Sequence, residues 1–325
     1  YEYVPPIDGV KQGDYEPIVQ LVAPEQLQIA VINGTYSPAE NSSIDFEFAA
    51  SKNDLNLYSS LEDQDNTGVA TRLSFAHQLL KNSEIWSLDL TTDVDYVHEN
   101  FRNLEGLYNP EFNRDWNLDL NPASQLLLDS GNQLFLMTGT QLSHADFGYL
   151  NYQFQQLNYS DKYEGNRHLV VAKLNFDRFQ LLSNSSLLKT DGRFSNSFFY
   201  RTENRLKYNY KKGWTGVKFS AEHNEKKERI SNSLDPVSQK FKAYEIFTGV
   251  GDSTKLFAKI GYIHRVNDSL QNNRLVKVNT SNTYYLDSKW IQTQNTLLSL
   301  YANYREFIPK ENEQRPQKSI NSRLQ

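Results

Sequence analysis

Asp93 and Asp95 are the residues whose type and spacing come closest to chemistry. Carboxylates two apart on a strand share one face, and a carboxylate pair can activate water when a base or acid partner stands beside it. No His–Asp partner can be assigned to the pair, so the reading is a solvated acidic row and the chain is read as non-enzymatic. The run Asp63, Asp65, Asn66, Thr67, Gly68 has the look of a cation loop. It lacks the bidentate Glu that a calcium loop carries at its twelfth position, where Ser74 stands, and it is read as a turn with no metal. The six histidines (His77, His98, His144, His168, His223 and His264) are scattered singly. There is no Walker loop, GxGxxG, HExxH or GxSxG. No cofactor and no nucleic-acid partner are expected.

The elements that position these residues follow from composition and pattern. The chain has 325 residues, a mean hydropathy of −0.67, 20 Tyr and 18 Phe. No apolar run approaches the roughly 18 residues of a membrane helix. Low hydropathy with many aromatics excludes disorder for most of the chain. It suits strands that show lipid only at every second residue. There is no cysteine, hence no disulfide or thiolate chemistry, as fits a protein that crosses an oxidising periplasm. The chain opens at Tyr1, and a processed or truncated product is expected.

Strict alternation dominates. Trp86, Leu88, Leu90, Thr92, Val94 and Tyr96 form one row, and Ser87, Asp89, Thr91, Asp93 and Asp95 the other. Phe194, Phe198, Tyr200, Leu206, Tyr208 and Tyr210 oppose Arg193, Ser195, Ser197, Arg201, Glu203, Arg205 and Lys207. Period two over such lengths means strands with one apolar and one polar face. Two stretches, Gln133–Ser143 and Phe179–Leu188, are apolar on both faces in places and are expected to pack on an inserted loop or another protein.

Short breaks near Ser37–Ser42, Lys81–Glu84, Ser143–Asp146, Asp177–Arg178, Lys211–Gly213, Gly251–Thr254 and Ile291–Asn295 alternate with longer polar stretches. The latter are Ser51–Thr67, His98–Asn132, Ser160–Arg167, Lys189–Gly192, Glu225–Gln239 and Val266–Arg274. Short turns at one end and long loops at the other are the habit of an outer-membrane barrel. Trp86 and Tyr96, like Phe198 and Tyr208, are ten residues apart on an apolar row. At ~3.4 Å per residue and a tilt of roughly 45°, ten residues climb about 24 Å, close to a lipid-facing band with an aromatic girdle at each edge.

The expected fold is therefore all-β: an up-and-down antiparallel transmembrane barrel, or a large fragment of one. Residues 1–25 form an N-terminal extended segment. Residues 26–308 hold about 13 strands with their loops, and 309–325 a polar C-terminal segment that could continue into further sequence. An odd strand count and the polar stretch Arg315 to Gln325 favour a fragment, unless a strand near Tyr15–Val22 completes the count. A soluble β-sandwich is the alternative.

Charge is split along the chain. Residues 1–162 carry 7 Lys and Arg against 24 Asp and Glu, while residues 163–325 carry 27 against 15. The inward rows follow the split. Asp45, Glu47, Asp89, Asp93 and Asp95 make an acidic wall, and Lys173, Arg193, Arg201, Arg205, Lys207, Lys259 and Arg305 a basic one. The loop His98–Asn132 carries Leu104, Tyr108, Phe112 and Trp116, so it is expected to fold over the mouth or dock another surface protein.

The run Gly34 to His77, with Ala49-Ala50-Ser51-Lys52-Asn53-Asp54 and Asp63-Gln64-Asp65-Asn66-Thr67-Gly68-Val69-Ala70, resembles segments of large outer-membrane proteins of Bacteroidota. The resemblance implies the outer membrane of a Gram-negative cell, with membrane lipid as the first partner, and it assigns no functional residue. The paired aspartates resemble those of omptin-type barrel proteases, without the accompanying histidine. No segment resembles the plug of TonB-dependent receptors. A pore, a transport channel or the membrane part of an export or assembly complex is the expected function, with a structural or adhesive barrel as the rival.

Overall fold

The computed structural model describes residues 4–8, 10, 12, 23–61, 63–80, 85–104, 108–109, 111–118, 131–251, 256–293, 296–310 and 315–325. Period-two alternation with β-branched and aromatic residues becomes strand throughout. In chain order the strands are β1 (Gln26–Ala39), β2 (Ser42–Asp54), β3 (Thr67–Gln78), β4 (Trp86–Val97) and β5 (Gln133–His144). Next come β6 (Gly148–Tyr159), β7 (Tyr163–Phe176), β8 (Phe179–Gly192), β9 (Ser195–Tyr210) and β10 (Gly213–Glu228). The last five are β11 (Gln239–Gly251), β12 (Leu256–Gln271), β13 (Arg274–Thr293), β14 (Thr296–Pro309) and β15 (Gln317–Leu324). Among the described residues one short α-helix, α1 (Phe112–Asp115), lies in the loop between β4 and β5, and Asp63–Asp65 form a 3-10 turn between β2 and β3.

All fifteen strands form one sheet in sequence order, each antiparallel to its neighbour. The architecture is all-β and up-and-down. Among the described residues β1 pairs only with β2, and β15 only with β14. Fourteen reversals leave β1 and β15 running the same way, so these two edges could meet directly only as a parallel pair.

Fifteen strands replace the thirteen expected. The stretch about Tyr15–Val22 and the break Lys81–Glu84 fall outside the described residues. Of the two additional strands, one follows from the breaks themselves, since thirteen breaks separate fourteen strands, and β15 comes from the polar C-terminal segment, where backbone pairing to β14 needs no apolar side chain. Several polar stretches expected as loops are strand. Ser160–Arg167 narrows to a turn at Ser160–Lys162, Lys189–Gly192 belongs to β8, and Val266–Arg274 narrows to Asn272-Asn273. Polar side chains mark where a strand leaves an apolar band, not where its backbone stops pairing. Asn272 and Asn273, at φ 48° and 59°, both occupy the left-handed region of a type I′ turn, whose twist matches the strands it joins.

The two faces of the sheet are chemically distinct. On β2 through β13 every exposed large apolar side chain lies on the outer face, among them Phe46, Leu73, Leu150, Leu206, Ile246, Ile260 and Trp290. At its short-turn end an aromatic row runs from Trp86 to His144 (ring centroids 4.5 Å), Phe147 (4.2 Å) and Phe176 (5.6 Å), with Phe179 on Tyr208 (4.9 Å). Tyr96 and Phe198 are on the same face toward the long-loop end. The opposite face carries the charged rows and receives Phe112, Trp116 and Leu118 of the β4–β5 loop in a buried cluster.

Candidate functional site: a loop docked on the charged face

The site is built by the described residues that follow β4, 98–104, 108–109 and 111–118, several of which pack on the inner face. Trp116 is 2% exposed and packs with its loop neighbour Leu118 and with Leu157, Tyr163, Leu188 and Phe199, contributed by β6, β7, β8 and β9. Its ring meets Phe135 of β5 edge-on at 5.7 Å. Phe135 and Leu188 thus account for the two stretches that are apolar on both faces: their inward residues receive the loop. Gly165 on β7 makes the room, because a Cβ there would stand 3.0 Å from the Trp116 ring. Gly68 does the same at the loop's start, where a Cβ would collide with the backbone of Phe101.

Polar contacts hold the loop in register. The Asp115 carboxylate pairs with Arg201 of β9 at 2.5 Å and Arg167 of β7 at 3.4 Å. Tyr163 donates its hydroxyl proton to the Trp116 carbonyl at 2.5 Å, and Lys226 Nζ donates to the Asn117 carbonyl at 3.2 Å. Asn117 and Asn224 exchange side-chain amide hydrogen bonds. Arg114 approaches Glu222 at 3.8 Å. The loop touches every strand from β5 to β10. Beside it a cavity of about 390 Å³ remains on the same face, lined in part by Asp115, Arg167, Arg201, Glu203 and Glu222.

The register puts Asp45, Glu47, Asp89, Asp93, Asp95, Lys173, Arg201, Arg205, Lys207, Lys259 and Arg305 all on this loop-bearing face. It brings some of them together. Asp45, Ser74 and Asp93 form one cross-strand row, and Glu47, Arg72 and Asp95 the next. Ser74 donates to Asp93 at 2.6 Å, and Thr35 donates to Asp45 at 2.6 Å. Arg72 approaches Asp95 at 3.6 Å. No histidine partners Asp93 or Asp95 among the described residues. Arg193 departs from its expected place. It sits exposed in the two-residue turn between β8 and β9, because β9 begins only at Ser195.

The basic side is also less uniform than its sequence row. Lys259 pairs with Glu245 at 3.0 Å and lies over the rings of Phe247 and Tyr285. Lys218 pairs with Glu203 at 2.8 Å. Glu203, Glu222 and Glu245 temper this wall as Arg72 tempers the acidic one. Asp115 and Arg167 were hidden in stretches of sequence without strand alternation.

Tyr108, in the loop, stacks on Phe112 at 4.0 Å and accepts a hydrogen bond from Gln133. Burial, then the nearby charge of Asp95, push its hydroxyl pKa up to about 12. The folded state therefore holds this proton more tightly than the unfolded chain, whose tyrosine titrates near ~10. Docking of the loop is at full strength below pH ~10 and weakens as pH rises from ~10 toward about 12. Phenolate absorbance should show a tyrosine step near pH 12 in the native protein that Tyr108→Phe removes. If the spectrum of Tyr108→Phe keeps that late step, the burial assigned to Tyr108 is wrong.

No family model matches the chain, and no curated protein matches it. Among solved structures, the crystal structure of Pseudomonas aeruginosa OccK5 (OpdH) aligns with 92% of this chain and 92% of its own, at 10% identity and a TM-score of 0.38. The architecture described above stands on the strand pairings themselves.

Proposed function

We propose that this chain is a non-enzymatic outer-membrane β-barrel, or a large part of one, whose loop-bearing face lines a channel narrowed by the β4–β5 loop. One observation carries the reading: from β2 to β13 the exposed large apolar side chains fall on one face and the charged rows on the other. Soluble monomers rarely expose contiguous apolar patches beyond a few hundred Å². A sheet so divided suits lipid outside and water inside. Trp86, Tyr96, Phe198 and Tyr208 then serve as girdle residues at the lipid headgroups. The acidic strands β2–β4 and the more basic strands β7–β14 set a field across the lumen, which tunes ion selectivity. A transport pore and the membrane part of an export or assembly complex both use this arrangement, and further strands or partners would close the sheet.

The first test is extraction and mobility: the protein should require detergent and migrate differently on a gel before and after heating. A chain that stays in solution without detergent contradicts the proposal. In planar bilayers, Asp93→Asn with Asp95→Asn should shift selectivity toward anions. Arg205→Gln with Lys207→Gln should shift it toward cations. Arg201 is left alone here because it also holds Asp115. Equal selectivity in both pairs of variants would remove the charge-split account of the lumen.

A second reading, attachment to a surface partner, is favoured by apolar side chains at the long-loop end. Tyr58 is 85% exposed, Leu61 83% and Leu104 81%, on the two loops that follow β2 and β4. Serine substitution of these three should abolish binding to a partner surface while leaving conductance intact; a loss of conductance instead would argue against it.

A further inference from the structure

Under the first turn of the β4–β5 loop lies a cavity of about 150 Å³, set into the acidic wall where Glu47 and Asp95 stand. Its floor is the row Glu47–Arg72–Asp95 and its roof is Phe101 and Tyr108. Charge in it is unbalanced. Two carboxylates face one guanidinium, and the next row down adds Asp45 and Asp93 across a neutral serine. Among the described residues that line the cavity, the one balancing group is held loosely: the Arg72 side chain is 62% exposed and reaches Asp95 only at 3.6 Å. Oδ1 of Asp95 is buried and has no hydrogen-bond partner among the described residues. A desolvated carboxylate left short of donors is costly, and a group that brings N–H donors and positive charge relieves the cost. Aromatic rings above carboxylates are a favourable setting for such a group, since the ring faces attract cations.

We propose that this cavity is a binding site for a small organic cation, an alkylammonium or guanidinium group, which enters beneath Tyr108 and takes over from the Arg72 guanidinium as partner of Asp95 and Glu47. The volume admits a short chain bearing one charged head and leaves no room for a sugar or nucleotide. The site needs no open pore, so it stands or falls separately from the channel proposal.

The test is a calorimetric titration of the full chain in detergent with n-butylammonium, and with n-butanol and butyrate as matched neutral and anionic probes. Saturable binding of butylammonium alone is expected. Asp95→Asn and Glu47→Gln should each weaken it about tenfold or more, whereas Arg72→Gln should strengthen it, because the competing internal cation is gone. Tyr108→Ala, which changes only a loop residue and not the sheet, should also weaken binding. A structural role for Asp95 alone would not make Arg72→Gln a tighter binder. Butyrate or butanol binding as well as butylammonium, weaker binding by Arg72→Gln, or no saturable binding by the native protein would each overturn the proposal. Conductance measured on the same preparation separates a failed site from a failed channel.

Discussion

Leu206→Arg is expected to block entry into a bilayer, while Arg205→Ser, one residue away, leaves entry intact. Leu206 is exposed on the outer face, paired across strands with Leu181 and Val217. Arg205 faces inward between Leu182 and Lys218. A guanidinium on the lipid face costs ~2–4 kcal/mol at mid-depth and less toward the band's edge, where Leu206 lies, because lipid offers neither water nor counter-charge. Leu90→Arg on β4, midway between Trp86 and Tyr96, should hinder entry at least as strongly as Leu206→Arg, and the inward Asp89→Ser should leave it intact like Arg205→Ser. The measurement is the fraction folded into liposomes, read by the heat-sensitive mobility shift. Equal responses from the two faces, or the reverse order, would mean that the faces are assigned wrongly.

The second large effect concerns the loop. Trp116→Ala removes the side chain around which the inner-face cluster is built, at a cost of ~3–5 kcal/mol typical of a buried Trp truncation. The loss falls on loop docking rather than on the sheet, whose strands pair through their own backbones. The expected result is an undocked loop: rapid proteolysis between 98 and 132, and higher conductance. Asp115→Asn should act in the same direction by a different route, since it leaves Arg167 and Arg201 facing each other without their shared carboxylate. Gly165→Val, which fills the space under the indole, should reproduce Trp116→Ala. A loop that stays protected in all three variants would show that the cluster does not hold it.

The faces of β4 and β9 were legible because alternation is a local property: Leu88 and Asp89 announce opposite sides wherever the strand sits. The upper ends of the strands were not, since Glu164 and Arg167 on β7, or Asn267 and Asp268 on β12, look like loop residues although their backbones pair. The apolar content of the β4–β5 loop was legible, and so was its need for a surface. The surface itself was not. Asp115 meets Arg201 across 86 residues, and Trp116 finds Gly165 only because the sheet brings β7 beneath it. Gly165 gave no warning, because it lay in a stretch read as loop; only within a strand does a lone glycine mark a close approach by something else.

The central claim is that one face of this sheet meets lipid and the other water, and the chain's lack of cysteine makes that directly measurable. Single cysteines along β9 from Phe199 to Leu206, each carrying a small fluorophore, can be probed in liposomes with brominated lipids and with a water-soluble quencher. The account predicts strict alternation: lipid quenching at Tyr200, Thr202, Asn204 and Leu206, and aqueous quenching or protection beneath the loop at Phe199, Arg201, Glu203 and Arg205. Aqueous quenching at every position, with none by brominated lipid, would contradict it.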